Sequence, residues 1–170
     1  MYITEYISNE IKPGKFGYSP NQLLEVVQEN KLTHLPMFKG LDFIGNISEE
    51  DLIELSFENK TVDYTSYLEN FFLTDSSNLL DAIQMMYTNQ ANILPIINEH
   101  SKYIGSITEN DIINTFANFP FVSAEGVSML VSIAEKDLSI TAISNIIEGN
   151  NGKIMGMMIV GYKDDNAYVL

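Results

Sequence analysis

Apolar residues recur at helical spacing in two stretches of the chain. The first stretch, residues 21–30 (NQLLEVVQEN), places Leu23, Leu24 and Val27 on one face and has Pro20 at its start. The second stretch follows the polar segment 75–77, which we interpret as the cap region of a helix. Its apolar positions are Leu79, Leu80, Ile83 and Met86. The two stretches therefore predict two helices that are copies of each other.

Each predicted helix is followed by two short apolar runs with a turn between them. The first runs, residues 32–38 and 93–97, each contain an internal proline. Because proline cannot donate a backbone hydrogen bond, we expect edge strands or strands with one open side. The chain thus contains a helix–strand–turn–strand–helix unit twice. The predicted second strands span 43–47 and 103–107, and the closing helices span 50–57 and 110–117.

The passage from second strand to closing helix reads GNISEEDL in one copy and GSITENDI in the other. Ser48 and Thr108 stand where a hydroxyl can cap a helix by accepting a backbone N–H of its first turn. Asp51 and Asp111, three residues later, suit the positive end of the helix dipole. The pattern by itself favours capping over a ligand-binding role, although the two roles do not exclude each other.

After Pro120 the repeat ends and a different order of elements follows. We expect a strand over 127–134 and a helix over 138–148, capped by Asp137 and ended by Gly149. Two further strands are predicted over 154–160 and 167–170. The helix residues expected to face inward are Ile140, Ile143, Ile146 and Ile147, and Met155, Met157 and Met158 are expected in the core of a strand.

The charge of the chain is strongly negative, because nine lysines and no arginine stand against 23 acidic residues, for a net charge of −14. Nucleic-acid binding requires a basic stripe, so that class of function is excluded, and binding to anionic membranes is disfavoured. The absence of cysteine excludes disulfides and zinc ribbons. No apolar run is long enough to span a membrane, and the first residues lack the pattern of a secretory signal. We expect a cytoplasmic protein.

No catalytic or metal site is predicted. His34 and His100 are the only histidines, and neither has carboxylates at the spacing of metal ligands. We expect both on the surface, with the edge of a ligand cleft as the alternative for His34. The acidic residues at 49–51 and 164–165 lack the pattern of a calcium loop. Since no phosphate loop or nucleophile motif occurs either, we expect that the protein is not an enzyme.

The repeated motifs resemble those of tandem CBS domains, a pair also called a Bateman module. The resemblance rests on the strands THLPMF and NILPII and on the phrases GNISEEDL and GSITENDI, which occur in register in both copies. It implies an α+β fold in which two CBS repeats, residues 1–60 and 61–120, pack with pseudo-twofold symmetry. Such proteins are regulatory and often hold adenosine-containing ligands, so the resemblance implies a sensor of AMP, ADP, ATP or S-adenosylmethionine.

The resemblance also implies which residues bind the ligand. In the family the aspartate accepts hydrogen bonds from the ribose hydroxyls and the Ser or Thr lies beside it, which assigns these roles to Asp51 with Ser48 and to Asp111 with Thr108. His34 and Thr33 in one copy, and Ile93 and Asn92 in the other, would border the adenine. Tyr18 with Ser19, and Thr74 with Leu73, are the other implied contacts. No cofactor is firmly implied, and Mg²⁺ is expected only together with a nucleotide.

Residues 121–170 resemble the first part of an ACT domain, a small ferredoxin-like fold of order βαββαβ. A CBS pair followed by such a unit is similar to acetoin-utilisation-type proteins of bacteria. We expect this βαββ unit to be incomplete, either through truncation or because a partner completes its sheet, and we expect a homodimer. The alternatives to an adenosine sensor are a ligand-free dimerisation module and an amino-acid sensor that works through the ACT-like unit.

Overall fold

The structure is a computed structural model that describes residues 2–57 and 63–170. Two compact units are present, Met1–Asn114 and Thr115–Leu170, and each is described by itself. The domain limits 1–60, 61–120 and 121–170 inferred from the sequence stay predictions.

The first half of the larger unit contains two helices and a three-stranded sheet. Strand β2 pairs in parallel with β1 and antiparallel with β3, and the ladder slips by one residue between Met37 and Phe38. The elements are β1 (Gly14–Lys15), α1 (Pro20–Asn30), β2 (His34–Lys39), β3 (Asp42–Ser48) and α2 (Glu49–Ser56).

The second half repeats this arrangement. Its sheet has the order β4-β5-β6 with the same strand directions, and its ladder slips at the equivalent place, between Ile96 and Ile97. The structure therefore confirms the predicted duplicated unit. The elements are β4 (Leu73–Thr74), α3 (Leu79–Asn89), β5 (Ile93–Ile97), β6 (Tyr103–Thr108) and α4 (Glu109–Ala117).

The caps of the two long helices have the same design. Ser19 caps α1 in a capping box with Gln22, and Asn78 caps α3 in a capping box with Asp81. The prediction that residues 75–77 cap α3 is therefore wrong. The cap lies next to the first helical residue, and the serines before it serve a turn instead, since the Ser77 hydroxyl accepts the N–H of Thr74 at 3.1 Å.

The prolines lie in the central strands of their sheets, so the edge-strand alternative is wrong. The strand beside β2 is only two residues long and faces Met37 and Phe38, which leaves Pro36 outside that ladder. On the other side Pro36 opposes Asn46, whose backbone hydrogen bonds are made to Glu69. The missing N–H of Pro36 therefore costs no ladder bond, as the open-side alternative requires.

Two glycines allow outer segments to approach the hairpins closely. Gly105 has a φ of 152°, and a β-carbon there would overlap the Ile7 side chain. Its equivalent, Gly45, has a φ of 136°, and a β-carbon there would lie 2.7 Å from that of Leu68. The approach is fixed by backbone pairs between Ser8 and Ser106 and between Asn46 and Glu69. The segments that precede β1 and β4 thus cover the free edges of β6 and β3, respectively.

A contiguous apolar core lies between the helices and the sheet of the first repeat. Helices α1 and α2 pack on each other and on β2 and β3, as the spacing of their apolar residues predicts. Ile93 from the second repeat joins this cluster, so the core is continuous across the two copies. Its buried members from the first repeat are Leu23, Val27, Leu32, Leu35, Met37, Ile47, Leu52 and Leu55.

The smaller unit is a three-stranded antiparallel sheet of order β7-β9-β8 with one long helix. The predicted order strand–helix–strand–strand is confirmed. The elements are α5 (Pro120–Ser123), β7 (Val131–Ala134), α6 (Ile140–Gly149), β8 (Ile159–Lys163) and β9 (Asn166–Val169).

Several details of the smaller unit differ from expectation. The cap of α6 is Ser139, whose hydroxyl accepts the N–H of Ala142 at 3.2 Å, whereas Asp137 lies in a short 3-10 turn. The first strand begins at Val131 instead of residue 127, because its partner β9 ends opposite it at Val169. Residues 154–158 precede β8 and are outside its ladder, apart from two backbone bonds between Met158 and Leu170.

The expected inward residues of the smaller unit are mostly exposed. Ile143 is the buried isoleucine of α6, whereas Ile140 and Ile146 are exposed and Ile147 is half-buried. Met155 and Met158 are exposed as well, and Met157 is half-buried, so the interpretation of these methionines as a strand core is wrong. The apolar residues of α6 do recur at helical spacing, but the unit supplies too little covering structure to bury more than one side of the helix.

Candidate functional site

Ser48 and Asp51 form the first candidate half-site, at the start of α2. The Ser48 hydroxyl accepts the backbone N–H of Asp51 at 3.0 Å and donates to Oδ2 of the Asp51 carboxylate at 2.5 Å. Both residues are half-buried. Oδ1 of Asp51 accepts no hydrogen bond from the described residues. Ser48 therefore caps the helix, as predicted, and also holds the carboxylate in one orientation.

Thr108 and Asp111 form the equivalent half-site at the start of α4. The Thr108 hydroxyl accepts the N–H of Asp111 at 3.2 Å and donates to Asp111 Oδ2 at 2.7 Å. Asp111 Oδ2 also accepts the backbone N–H of Thr108 at 2.8 Å, which completes a reciprocal capping box. The predicted capping role is thus confirmed in both copies, and both aspartates are fixed by their own caps.

A bonded pair of equivalent residues brings the two half-sites together. The N–H of Thr33 donates to Asn92 Oδ1 at 2.9 Å, and the N–H of Asn92 donates to the Thr33 hydroxyl at 3.0 Å. The first residue of each closing helix bonds to the same pair, from Glu49 to Thr33 O at 2.8 Å and from Glu109 to Asn92 O at 2.9 Å. Because Thr33 and Asn92 are equivalent, an approximate twofold axis passes close to them. The two helix starts, with their aspartates, lie on either side of this axis.

His34 is buried, so the expectation of a surface position is wrong. Its Nε2 lies 3.4 Å from Glu69 Oε1, its Nδ1 lies 3.0 Å from the Thr33 hydroxyl, and its ring packs edge-on against Phe71. His34 pairs with Ser48 across the hairpin, which puts it beside the first half-site. Glu69 and Phe71 were missed, because they lie far along the chain and belong to no motif. His100 is exposed, as predicted.

The remaining predicted contact residues are distributed unevenly. Ile93 is buried and pairs with Thr108 across its hairpin, so it borders the second half-site. Thr74 pairs with Ile97, at the opposite end of β5, about 13 Å along the strand from Ile93. Tyr18 is exposed, and its carbonyl accepts the Tyr64 hydroxyl at 2.6 Å. The contacts of Thr74 are thus made away from the start of α4.

Three lysines near the hairpins, Lys15, Lys39 and Lys102, are engaged or lie far from Asp51. Lys102 forms an ion pair with Asp42, which joins equivalent positions of the two copies. The Nζ atom of Lys39 lies 5.4 Å from the centre of the Phe16 ring. Lys15 pairs with Phe38, the neighbour of Lys39, in the β1–β2 ladder. Lys39 ends the strand that His34 begins, about 16 Å away. These cations therefore lie at the opposite end of the hairpin from Asp51.

Two buried polar atoms near the hairpins have no partner among the described residues. They are Oδ1 of Asn46 and the hydroxyl of Tyr103. Burial raises the pKa of Tyr103, an effect that the nearby Ser106 hydroxyl partly opposes. Burial also raises the pKa of Tyr64. No sequence pattern marked these atoms, since their neighbours are remote along the chain: the Asn46 side chain bonds to the Phe71 carbonyl, and the Tyr103 ring packs on Phe38.

The described residues, 2–57 and 63–170, contain no group of three or more His, Asp or Glu side chains arranged to hold a metal ion. Within the same ranges no helix has both the length and the apolar character needed to cross a bilayer. A cavity of about 520 Å³ occurs in the smaller unit, bordered by residues such as Phe121, Met129 and Ile143. It shares no residue with the two half-sites.

Comparisons with known proteins agree with this geometry. Residues 68–118 match the sequence model of the CBS domain family. No curated protein sequence matches the chain. CBS domains are in general regulatory modules, and no catalytic family is indicated.

Solved structures resemble about two thirds of the chain. A CBS domain pair/ACT domain protein from Thermotoga maritima has a TM-score of 0.60 at 15% identity, over 68% of this chain and 96% of that one. The protein CBSX2 in complex with AMP has a TM-score of 0.56 at 22% identity, over 68% and 95% of the two chains. The CBS domain of a bacterial CNNM/CorC family Mg²⁺ transporter in complex with ATP has a TM-score of 0.53 at 16% identity, over 67% and 85%.

At these identities the likeness to solved structures establishes the fold. The duplicated units, the bonded pair on the axis between them and the family match to the second copy agree with one another. Residues 68–118 are thus matched to the CBS domain family, and the chain contains an α+β fold similar to that of a CBS domain pair.

Proposed function

We propose that this chain is a non-catalytic regulatory protein of the cytoplasm that binds an adenosine-containing ligand between its two repeats. The observation that carries the proposal is the meeting of the two capped helix starts at the Thr33–Asn92 pair. Each start presents a half-buried carboxylate whose orientation is fixed by a neighbouring hydroxyl. Because the two carboxylates belong to different repeats and lie at the contact between them, the affinity for a ligand that binds both would depend on the relative position of the repeats.

The carboxylates suit the two hydroxyls of a ribose. An ionised carboxylate only accepts hydrogen bonds and has room for about four of them, so it can take both O–H groups of a cis-diol. Asp51 uses Oδ2 for Ser48, and Oδ1 receives no bond from the described residues. Asp51 and Asp111 are therefore the proposed ribose contacts, with Ser48 and Thr108 beside them.

The proposed adenine contacts differ between the two half-sites. In the first copy the position after Thr33 is His34, a flat polar ring that lies against Phe71. In the second copy the equivalent position is Ile93, which is apolar and buried. An adenine ring packs on either surface, but only the first offers a polar edge. We propose that one of the two sites is preferred, with Tyr18 and Thr74 as peripheral contacts.

The charge distribution favours ligands that carry few negative charges. Residues 1–114 contain six lysines and seventeen acidic residues, a net charge of −11. Lys39 lies at the opposite end of the first hairpin from Asp51, whereas Lys31 is closer, since its carbonyl accepts a hydrogen bond from Asn92 Nδ2 at 2.8 Å. A triphosphate would therefore enter an unfavourable field unless Mg²⁺ accompanied it. Adenosine, AMP and S-adenosylmethionine are accordingly ranked ahead of ADP and ATP.

The resemblance to solved complexes supports the same class of ligand. CBSX2 was solved with AMP, and the CBS domain of the Mg²⁺ transporter was solved with ATP. The proposed mechanism is linkage: a ligand that contacts both repeats stabilises one arrangement of them by its difference in affinity for the two arrangements.

A ligand-free dimerisation module is the second candidate, and one observation favours it. Leu80, Ile83 and Tyr87 follow one another at helical spacing on α3 and are all exposed. Tyr87 retains 82% of its accessible surface. An exposed apolar stripe on a surface helix is typical of a contact between proteins. We propose that the protein forms a homodimer, through which either function would operate.

A thermal-shift series separates the two candidates. Wild-type protein is heated with adenosine, AMP, ADP, ATP with and without Mg²⁺, and S-adenosylmethionine. A ligand at 100 times its dissociation constant should raise the free energy of unfolding by about 2.7 kcal/mol. Asp51→Asn and Asp111→Asn should each reduce the shift at one site. Glu50→Gln and Glu109→Gln remove the same charge from exposed positions of the same helix starts, so they should retain the shift.

If no adenosine compound shifts the melting temperature of the wild type, the dimerisation module is the better account. If a compound does shift it but both aspartate variants keep the full effect, the ligand binds elsewhere and the ribose assignment is wrong. A loss of the shift in the two glutamate controls would instead indicate a long-range effect of charge.

A further inference from the structure

His34 is a titratable side chain buried at the contact between the two repeats. Its side chain is 8% exposed, and its ring packs edge-on against Phe71. Both ring nitrogens have partners, since Nδ1 lies 3.0 Å from the Thr33 hydroxyl and Nε2 lies 3.4 Å from Oε1 of Glu69. Imidazole is the side chain that changes its charge between about pH 5 and 8. The contact between the repeats therefore contains a group that can respond to pH.

The hydroxyl of Thr33 connects this ring to the second repeat. Its oxygen accepts the N–H of Asn92 at 3.0 Å and lies 3.2 Å from Asn92 Oδ1. The amide of Asn92 is held in one orientation, because Oδ1 also accepts the N–H of Thr33 and Nδ2 donates to the carbonyl of Lys31. The hydroxyl has a single proton to donate, and Asn92 Oδ1 and His34 Nδ1 compete for it.

A neutral His34 ring takes the hydroxyl proton for itself. The neutral ring has one N–H, and the carboxylate of Glu69 only accepts hydrogen bonds, so the ring proton belongs on Nε2. Nδ1 is then an acceptor, and it is the closer of the two acceptors of the Thr33 hydroxyl. In this state the hydroxyl donates nothing to Asn92.

A protonated His34 ring releases the hydroxyl proton to the second repeat. Both ring nitrogens are then donors, Nε2–H to Glu69 and Nδ1–H to the oxygen of Thr33. The hydroxyl proton has to turn away from the ring, and Asn92 Oδ1 is its acceptor at 3.2 Å. The contact between the repeats gains one hydrogen bond, and each of these polar atoms still has a partner.

Hydrogen bonding is thus complete in both protonation states, as a two-state element requires. Burial opposes the charged ring, and the carboxylate of Glu69 favours it. We infer that His34 is a pH-sensitive switch whose protonation moves the Thr33 hydroxyl proton from the His34 ring to Asn92 of the second repeat. The second copy has Ile93 at the equivalent position, so its own strand β5 contributes no such group. The switch does not depend on the proposed ligand.

The effect of the switch extends to both half-sites. The carbonyl of Thr33 accepts the N–H of Glu49 at the start of α2, and the carbonyl of Asn92 accepts the N–H of Glu109 at the start of α4. The elements packed around the ring also carry charged groups, whose titration is common to the wild type and to the variants below. These groups are Lys31, Glu49, Glu50, Asp51, Glu69, Glu109 and Asp111.

Nuclear magnetic resonance of the full chain follows the switch directly. The ¹⁵N shifts of a histidine ring report which nitrogens carry protons, so a titration from about pH 8 to about pH 5 observes both states. The neutral His34 ring should carry its proton on Nε2, and the charged ring on both nitrogens. The backbone and side-chain amides of Asn92 should shift with the same midpoint as the ring, and the Glu109 amide should follow them.

Two pairs of variants identify the hydroxyl as the link. Thr33→Val removes it, so the Asn92 amides should no longer follow the ring, whereas Thr33→Ser retains a hydroxyl and should keep the response. His34→Gln should abolish the response of Asn92. His100→Gln removes the exposed histidine, which is the only other one in the chain, and should behave as the wild type does.

Each of the following results would overturn the inference. The His34 ring could remain in one protonation state across the titration, or its neutral form could carry the proton on Nδ1. The Asn92 amides could stay unchanged while the ring titrates. Finally, Asn92 could respond in Thr33→Val as strongly as in the wild type, which would show that the hydroxyl is not the connection.

Discussion

Tyr103 illustrates how one buried group can make stability depend on pH. Its hydroxyl is buried without a hydrogen-bond partner among the described residues, and burial raises its pKa because the phenolate would lose its hydration. When the folded-state pKa lies above that of the unfolded chain, the contribution to stability is complete below the unfolded value. It is then lost as the pH rises through the folded value. The loss therefore begins near pH ~10, the ordinary pKa of tyrosine.

Replacing this tyrosine should remove part of that loss. Tyr103→Phe eliminates a buried donor that is unsatisfied, so stability at pH 7 should be unchanged or slightly higher. Above pH ~10 the variant should lose less stability than the wild type, since no phenolate can form. Urea unfolding at the two pH values measures the difference. Tyr87→Phe, at an exposed position, is the control and should follow the wild type. Equal alkaline loss in wild type and Tyr103→Phe would contradict the assignment.

At the scale of elements, the sequence was sufficient where a signal is local. The helical spacing of Leu23 and Val27, and the Ser48 and Thr108 caps, predicted the helices and their starts to within one or two residues. The sequence did not predict features that depend on a contact with residues far away along the chain. The strand expected from residue 127 begins at Val131 because of where β9 ends, which no local pattern reveals. The burial of His34 depends likewise on Glu69 and Phe71, far along the chain.

The β5–β6 hairpin should be sensitive to a single methyl group at Gly105. A β-carbon there would overlap Ile7, lie 3.1 Å from the carbonyl oxygen of Ser8, and occupy a backbone conformation with φ of 152°. Gly105→Ala should therefore lower the free energy of unfolding by about 2 kcal/mol or more. Gly40→Ala has a positive φ of 67° but nothing within 4 Å, so it isolates the backbone effect, about 1 kcal/mol.

Denaturant unfolding of the two glycine variants tests this interpretation of the hairpin. A larger cost at Gly105 than at Gly40 indicates that the close approach of residues 7–9 matters beyond the backbone conformation. Equal costs would show that the N-terminal segment can move away freely. In that case the pairing of Ser8 with Ser106 contributes little to the fold.

At the scale of the whole molecule, duplication explains more than any single motif. The two copies share strand order, ladder irregularity and capped closing helices, and they meet at equivalent residues, Thr33 with Asn92 and Asp42 with Lys102. The sequence could predict the copies because each repeats its pattern. It could not predict that Thr33 and Asn92 bond to each other, since that contact depends on how the copies pack. The place where two helix starts and two carboxylates converge is therefore a result of the structure.

The most direct test of the proposed function is a calorimetric titration of AMP into the wild type and into the double variant Asp51→Asn/Asp111→Asn. Hydrogen bonds to a charged group contribute about 1.5–3 kcal/mol each, so the double variant should bind AMP at least about 10-fold more weakly. The control Glu50→Gln/Glu109→Gln has the same net charge and should bind as the wild type does. AMP affinity that is equal in the wild type and the aspartate double variant would contradict a ribose site at the two helix starts.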